Sequence, residues 1–243
     1  MVYVTIRNIM TERNSYVLHC TDCLGEEGLK QLPSTCIDMI LCDPPYGVTA
    51  RNSWDIRLDL DLLFQQIDRI TTPNAAVIFF SQGMLTADLM KGPWNKFWRY
   101  NLIWKKNKPR GFLNSKKMPL RYHEDIVVFY KKAPIYNPQM IETGNPVHYC
   151  NRRGNGSNYG ESTGGVNTRT GKTDRYPGSV LKFPVVNNPS HPTEKPVELC
   201  EFLIRSYTNE GDTVLDMCAG SGTTGVACLK NKRLFLGYEK EPD

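Results

Sequence analysis

Asp43-Pro44-Pro45-Tyr46 closes an apolar run, Ile37-Asp38-Met39-Ile40-Leu41-Cys42. Consecutive prolines cannot continue a sheet and hold the backbone stiffly extended. The Asp43 carboxylate and the Pro44 carbonyl, both acceptors, are thereby set at the carboxyl end of a strand, with the flat face of Tyr46 alongside. Two acceptors and a stacking ring make a socket for an amino group on a planar base. The plainer alternative is a strand-ending turn with a solvent-facing tyrosine.

A second constellation lies near the other end of the chain. Thr213-Val214-Leu215-Asp216-Met217-Cys218-Ala219-Gly220-Ser221-Gly222-Thr223-Thr224-Gly225 reads as strand, tight turn and helix. Gly220, Gly222 and Gly225 fit G-x-G-x-x-G, in which glycines allow a sharp turn and close approach of backbone to a ligand. Asp216 precedes the turn, and Glu239 ends the next expected strand, where an acid can hold a pair of ribose hydroxyls. Only 18 residues follow Gly225, too few for the second half of a nicotinamide-binding domain. The lysine of a phosphate-binding P-loop is missing. An adenosine-type ligand remains, with a helix-packing turn as the alternative.

These turns need strands to hold them. Apolar runs of strand type fall at 16–20, 37–42, 75–80, 100–104, 126–130, 213–216 and 234–238. Helical patterns fall at 24–31, 58–70, 197–207 and 222–230; in the second, Leu62, Leu63, Ile67 and Ile70 recur at helical spacing. Alternation of this kind predicts a parallel α/β sheet. Residues 144–178 break it, with eight glycines among Asn, Ser, Thr, Arg and Tyr. So long an irregular insertion in a compact domain is a functional loop or a disordered one. Arg152, Arg153, Arg169, Lys172 and Arg175 make it basic.

Charge narrows the partner. The 243 residues carry a net charge of +5, yet no acid occurs between Asp88 and Glu124. That stretch holds ten basic residues, including Lys105, Lys106, Lys108, Arg110, Lys116 and Lys117, interleaved with Trp94, Phe97, Trp98, Tyr100, Trp104 and Phe112. Basic and aromatic side chains together suit a polyanion with stackable bases; a solvated face is the alternative. The eight cysteines read as reduced thiols, and the single C-x-x-C, Cys20 to Cys23, has no second pair for a metal. No apolar run reaches membrane-span length, and the first residues show no export signal, so a cytoplasmic protein is expected.

Asp43-Pro44-Pro45-Tyr46 resembles the catalytic motif of S-adenosylmethionine-dependent amino-methyltransferases acting on DNA. Asp216 through Thr224 resembles their cofactor motif, and His191-Pro192-Thr193-Glu194-Lys195-Pro196 resembles the segment leading into it. The order, catalytic motif first, is similar to the β class of bacterial and phage enzymes, and the likeness covers roughly residues 15–240. Met217-Cys218 departs from the usual Pro-Phe, and the chain ends four residues after Glu239, where relatives often continue into a helix.

The resemblance implies a Rossmann-like methyltransferase fold, a mostly parallel, twisted, seven-stranded sheet with helices on both faces. It implies a catalytic half at 1–132, a target recognition insertion at 133–190 and a cofactor-binding half at 191–243. Asp43, Pro44, Pro45 and Tyr46 become catalytic. Asp22, Asp43, Lys195, Pro196, Asp216, Cys218, Ala219, Gly220, Ser221, Gly222, Thr223, Thr224 and Glu239 become the holders of S-adenosyl-L-methionine, with Lys195 and Pro196 at its methionine end.

Phosphate contacts are expected from the Lys105 to Arg121 stretch and base contacts from Arg152 and Arg153. His123-Glu124 stays unassigned, and no metal is expected. The implied substrate is double-stranded DNA, with room for a homodimer and a cognate restriction endonuclease. The acid at position 43 favours N6 of adenine, since cytosine-N4 enzymes of this type mostly carry Ser there. The other readings are cytosine-N4 chemistry, a catalytically silent DNA-binding protein of the same fold, and a nicotinamide dehydrogenase.

Overall fold

The computed structural model describes residues 15–48, 55–146, 170–187 and 194–241. It divides into two compact units, Met1–Asn137 with Ser179–Asp243, and Pro138–Gly178. In chain order the strands are β1 (Tyr16–Cys20), β2 (Ile37–Cys42), β3 (Thr71–Ser81), β4 (Trp98–Arg110), β5 (Arg121–Phe129), β6 (Ile141–Glu142), β7 (Asp174–Arg175), β8 (Val180–Lys182), β9 (Thr213–Asp216) and β10 (Leu234–Glu239).

The larger unit is built on one eight-stranded sheet, with strand order β1-β10-β9-β2-β3-β5-β4-β8. From β1 to β3 every pairing is parallel; β5 is antiparallel to β3 and β4, and β8 runs parallel to β4.

Central strands of such a sheet are buried on both faces and read as unbroken apolar runs. Successive residues of β2 accordingly enter opposite cores. Ile40 and Cys42 pack with Leu63, Phe64, Ile67 and Ile70 of helix α1 (Leu60–Ile70) and with Leu85 and Leu89 of α2 (Met84–Lys91). Met39 and Leu41 pack with Leu199 and Leu203 of α3 (Val197–Tyr207) and with Ala227 and Cys228 of α4 (Thr223–Lys230). Helices thus cover both faces. Asp59 caps α1, its Oδ1 accepting from the amides of Asp61 and Leu62 at 3.0 and 3.1 Å.

All seven expected strands form, and β8 adds an eighth to the sheet. The helix expected at 24–31 is replaced by turns ending in a single 3-10 turn, Leu29–Gln31. Gly25 and Gly28 sit inside that stretch, where glycine is costly to helix, and their amides close turns on Asp22 and Gly25 instead. Helix α2, one short element of eight residues, has no counterpart among the expected helices.

The smaller unit contains a two-stranded antiparallel ladder, β6 with β7. Residues 179–187 return to the main sheet, so the separately compact stretch is shorter than the expected 133–190 insertion. Arg152 and Arg153 lie outside the described residues.

Candidate active site

Strands β1, β10, β9 and β2 are mutually parallel, so their carboxyl ends share one edge, where open α/β sheets take ligands. A cavity of about 820 Å³ opens there. That size lies within the usual range for small-molecule sites, ~300–1,000 Å³. Asp22 after β1, Asp43 to Tyr46 after β2, Met217 to Ser221 after β9 and Glu239 at the end of β10 all line it.

The β2 end is an assembly of charged side chains. The Tyr46 hydroxyl donates to Asp43 Oδ1 at 2.9 Å and lies 3.3 Å from Glu124 Oε2. Lys195 is ion-paired with Asp43 and stands 3.5 Å from Glu124 Oε2; Lys106 pairs with the other oxygen of Glu124. Carboxylates and ammoniums therefore alternate, Asp43, Lys195, Glu124, Lys106. Burial pushes the Asp43 carboxyl above the usual range, against the pull of Lys195. Glu124 is buried too, yet Lys195 and Lys106 hold it below its ordinary value. Lys195 stays raised despite burial because Asp43 and Glu124 flank it.

The turn carrying Tyr46 is pinned from outside this network. Asp55 accepts from the amides of Gly47 and Val48 at 2.7 and 2.9 Å. Arg57 donates to the Tyr46 carbonyl at 2.9 Å and to Asp88 at 2.5 Å.

The β9 end is built from backbone. Gly220 and Gly222 have φ of +48° and +76°, in the left-handed region. Gly225 instead serves packing: a Cβ there would lie 2.9 Å from the Phe235 ring. Glu239 accepts from the Gly220 amide at 2.7 Å, Asp216 from the Cys218 amide at 3.1 Å, and the Tyr238 carbonyl from the Ala219 amide at 2.8 Å. Burial raises the Asp216 carboxyl to about 6. The hydroxyls of Ser221 and Thr223 are 3.1 Å apart. Beneath the wall, a hydrogen bond to Cys218 and burial hold the Cys23 thiol well above its ordinary value, and burial pushes Cys42 up to about 11. Neither is a thiolate nucleophile.

The donor set fits S-adenosylmethionine. A carboxylate offers about four acceptor sites, so Glu239 keeps capacity for ribose hydroxyls while holding Gly220. Asp22 on the same wall, bonded to the Leu24 amide at 2.9 Å, supplies another acceptor. Among the described residues no group of three or more His, Cys, Asp or Glu is placed to hold a metal, and no helix is long and apolar enough to cross a membrane.

Most of the expected catalytic and cofactor residues line this one cavity, and Lys106 and Arg110 of the basic stretch join them. Pro196 and Gly222 do not: they are the N-cap residues of α3 and α4. The resemblance sets Lys195 at the methionine end of the cofactor; it lines the cavity, with its ammonium on Asp43. The run of cations sets Lys106 on phosphate. Alternation along β4 turns Trp104 and Lys106 inward, and Lys106 is buried against Glu124. Lys105, Lys108, Arg110, Lys116 and Lys117 are exposed. Glu124, Asp55 and Arg57 are members of the site that the sequence does not announce. The His123-Glu124 pair is visible there, but only tertiary structure gives Glu124 its two ammonium partners.

A DNA methylase family model matches residues 37–243. The DNA adenine methyltransferase YhdJ of Escherichia coli K12 is 27% identical over 239 residues, covering 90% of this chain and 76% of YhdJ. In fold, the chain resembles the crystal structure of the M1.HpyAVI–SAM complex, with a TM-score of 0.60 at 22% identity over 93% of this chain and 94% of that one. It also resembles the cytosine-N4-specific PvuII DNA methyltransferase, with a TM-score of 0.63 at 16% identity over 94% and 85%. The chain belongs to the N6/N4 DNA methylase family of S-adenosylmethionine-dependent amino-methyltransferases.

Proposed function

We propose that this protein methylates the exocyclic N6 amino group of adenine within a specific sequence of double-stranded DNA. The observation that carries the reading is the Asp43 carboxylate, fixed between Lys195 and the Tyr46 hydroxyl on the wall of the cavity that the glycine turn also lines.

The adenine amino nitrogen is a poor nucleophile because its lone pair is delocalised into the ring. Hydrogen bonds from its N–H groups to Asp43 and to the Pro44 carbonyl draw it toward a tetrahedral, nucleophilic form. When bound, S-adenosylmethionine supplies a methyl group already activated on a sulfonium. Gly220, Ser221, Thr223, Thr224, Glu239 and Asp22 hold the adenosine part, and Asp216 fixes the shape of the turn through Cys218. The chain's task is then alignment at near contact. Lys195 and Tyr46 keep the Asp43 carboxylate charged and aimed. Because burial raises Asp43, turnover falls on acidification at a pH above the ordinary aspartate range.

A stacked base cannot present its amino edge to this cavity, so the target leaves the helix. Lys105, Lys108, Arg110, Lys116 and Lys117 contact phosphates, and the insertion bearing Arg152 and Arg153 reads base edges. Replacing both Lys116 and Lys117 by Ala then weakens all sequences alike. It flattens the log–log salt dependence by about 0.9 for each phosphate no longer neutralised. Replacing Arg152 and Arg153 changes which sites are modified.

The test is incubation with labelled S-adenosylmethionine and duplex DNA, followed by nucleoside analysis and mapping of the modified sites. N6-methyladenine is the expected product. N4-methylcytosine would overturn the adenine assignment in favour of the activity named for the PvuII enzyme. Cofactor binding without any methylated product would leave a silent DNA-binding protein.

A further inference from the structure

The hairpin joining β4 to β5 has a base and a tip of opposite character. At its base Lys106 and Glu124 are buried in the catalytic network, and Arg110 and Arg121, paired across the strands, line the cavity rim. Beyond them, residues 111–120 form a compact tip closed by its own backbone. Asn114 N donates to Gly111 O at 2.9 Å, Ser115 N to Phe112 O at 3.0 Å, and Lys117 N to Asn114 O at 2.8 Å.

What this ordered tip displays is apolar. Phe112 is 64% exposed, Leu113 100% and Met118 57%. An internally hydrogen-bonded turn that holds three large apolar side chains in water is a protrusion with a partner. The charges around it say which. Arg110, Lys116, Lys117 and Arg121 surround the three apolar residues, and no acid occurs from residue 89 to residue 123. A second copy would bring the same positive field against itself. A polyanion with an apolar, stacked interior meets both demands, and the rim places the tip where a duplex must deliver its target.

We infer that the hairpin tip is a wedge: Leu113, supported by Phe112, enters the base stack beside the target and holds open the space the extruded adenine leaves. Inserted apolar side chains of this kind unstack a step while basic neighbours keep the phosphates in place. The inference rests on the DNA-methylation reading above and adds to it the residues that move the base.

The experiment compares wild type, Leu113→Ala and Phe112→Ala on two duplexes carrying the mapped site. One has the normal partner base opposite the target, the other an abasic position, so that the target is already unpaired. For Leu113→Ala the expected result is a loss of about ten- to a hundred-fold in kcat/KM on the paired duplex, shrinking to within about three-fold on the abasic one. Phe112→Ala follows the same pattern with a smaller loss. 2-Aminopurine at the target position reads extrusion directly, and its fluorescence gain falls in the variants. Melting temperatures stay near the wild-type value, because Leu113 is fully exposed and Phe112 mostly so.

Equal losses on both duplexes, or no loss on the paired one, overturn the wedge while leaving the methylation reading intact. Failure of the wild type to methylate any DNA overturns that reading and the wedge with it. A wild-type dimer that Leu113→Asp converts to monomer assigns the tip to a second copy and overturns the wedge. Wild-type binding to phosphatidylglycerol vesicles, lost in Leu113→Asp with paired-duplex turnover unchanged, assigns it to a lipid surface and does the same.

Discussion

The two ends of the cavity hold their acids by different means. Asp43 is fixed by side chains brought from far along the chain: Lys195, 152 residues away, with Glu124 standing 78 residues from Tyr46. Asp216 and Glu239 are fixed by backbone amides close by, 2 and 19 residues away. The first arrangement sets the charge state and aim of one carboxylate. The second sets the shape of a loop. A target-binding acid needs a definite protonation state, and opposite charges supply it. A cofactor-binding turn needs a definite backbone path, and glycine dihedrals with amide hydrogen bonds supply that.

Removing Asp43 is the sharpest way to separate the ends. Asp43→Ala deletes an acceptor for the target amino group while Lys195 keeps Glu124 at 3.5 Å. Turnover should fall by roughly a hundred- to a thousand-fold, about 3–4 kcal/mol of preorganised stabilisation. Affinity for S-adenosylmethionine, read by calorimetric titration, should change by only a few fold. A comparable loss of cofactor affinity would mean that the two ends are one site energetically, and the contrast between them would vanish.

Lys195→Met tests the charge network itself. It leaves Asp43 and Glu124 facing each other with only Lys106 to neutralise the pair. Breaking a buried ion pair from one side costs ~3–5 kcal/mol, and the lower figure applies because Asp43 opens onto the cavity. Urea denaturation should therefore show a loss of about 3 kcal/mol. A drop under ~1 kcal/mol, the range of a surface pair, would remove the network as a stabilising unit.

At the glycine-turn end, pH is the probe. Burial raises Asp216 from 3.8 to about 6, so between those values the folded protein binds more protons than the unfolded chain. This group's contribution makes stability decline as pH rises from about 4 to about 6, with no further change above. Two pKa units correspond to about 3 kcal/mol, an upper figure for one carboxyl. Asp216→Asn cannot titrate and can still accept from Cys218. The difference in unfolding free energy between wild type and variant should therefore vary across about pH 4–6 and be flat above about 7. A difference that is constant throughout would show that Asp216 titrates alike in both states.

The contrast also explains what is legible in the sequence. Unbroken apolar runs mark β2, β3 and β9 because both faces of those strands are buried. The glycine turn is legible because its determinants are local: spacing, dihedrals and the acid one strand later. Lys106 illustrates the opposite case. It stands in a row of exposed cations, Lys105, Lys108 and Arg110, and only the strand's alternation and a partner on β5 make it a buried member of the site. Glu124 is illegible for the same reason, and the resemblance that names Lys195 does not give its carboxylate partners, since these charges meet through tertiary contacts. The 24–31 segment misleads because Leu24, Glu26, Glu27, Leu29, Lys30 and Gln31 are good helix formers while Gly25 and Gly28 are not.

Gly222→Ala carries the smallest effect and the finest resolution. The motif alone suggests that a side chain there blocks the backbone from its ligand. The structure separates two contributions. A Cβ at Gly222 meets nothing within 4 Å, whereas one at Gly225 meets Phe235 at 2.9 Å. Within the protein itself the cost at position 222 is therefore the φ of +76°, which for an L-residue amounts to about 1–2 kcal/mol. If the turn keeps its path, stability falls by that amount and S-adenosylmethionine affinity falls only as far as the added methyl meets the cofactor. If the turn relaxes to a negative φ, stability is nearly preserved and affinity falls by roughly five- to thirty-fold. Gly225→Ala cannot relax that way, because its conflict is with a ring in the core; it should lose stability first. Thermal melts and cofactor titrations of the two variants distinguish these outcomes. Equal behaviour would mean that the glycines of this turn share one role rather than two.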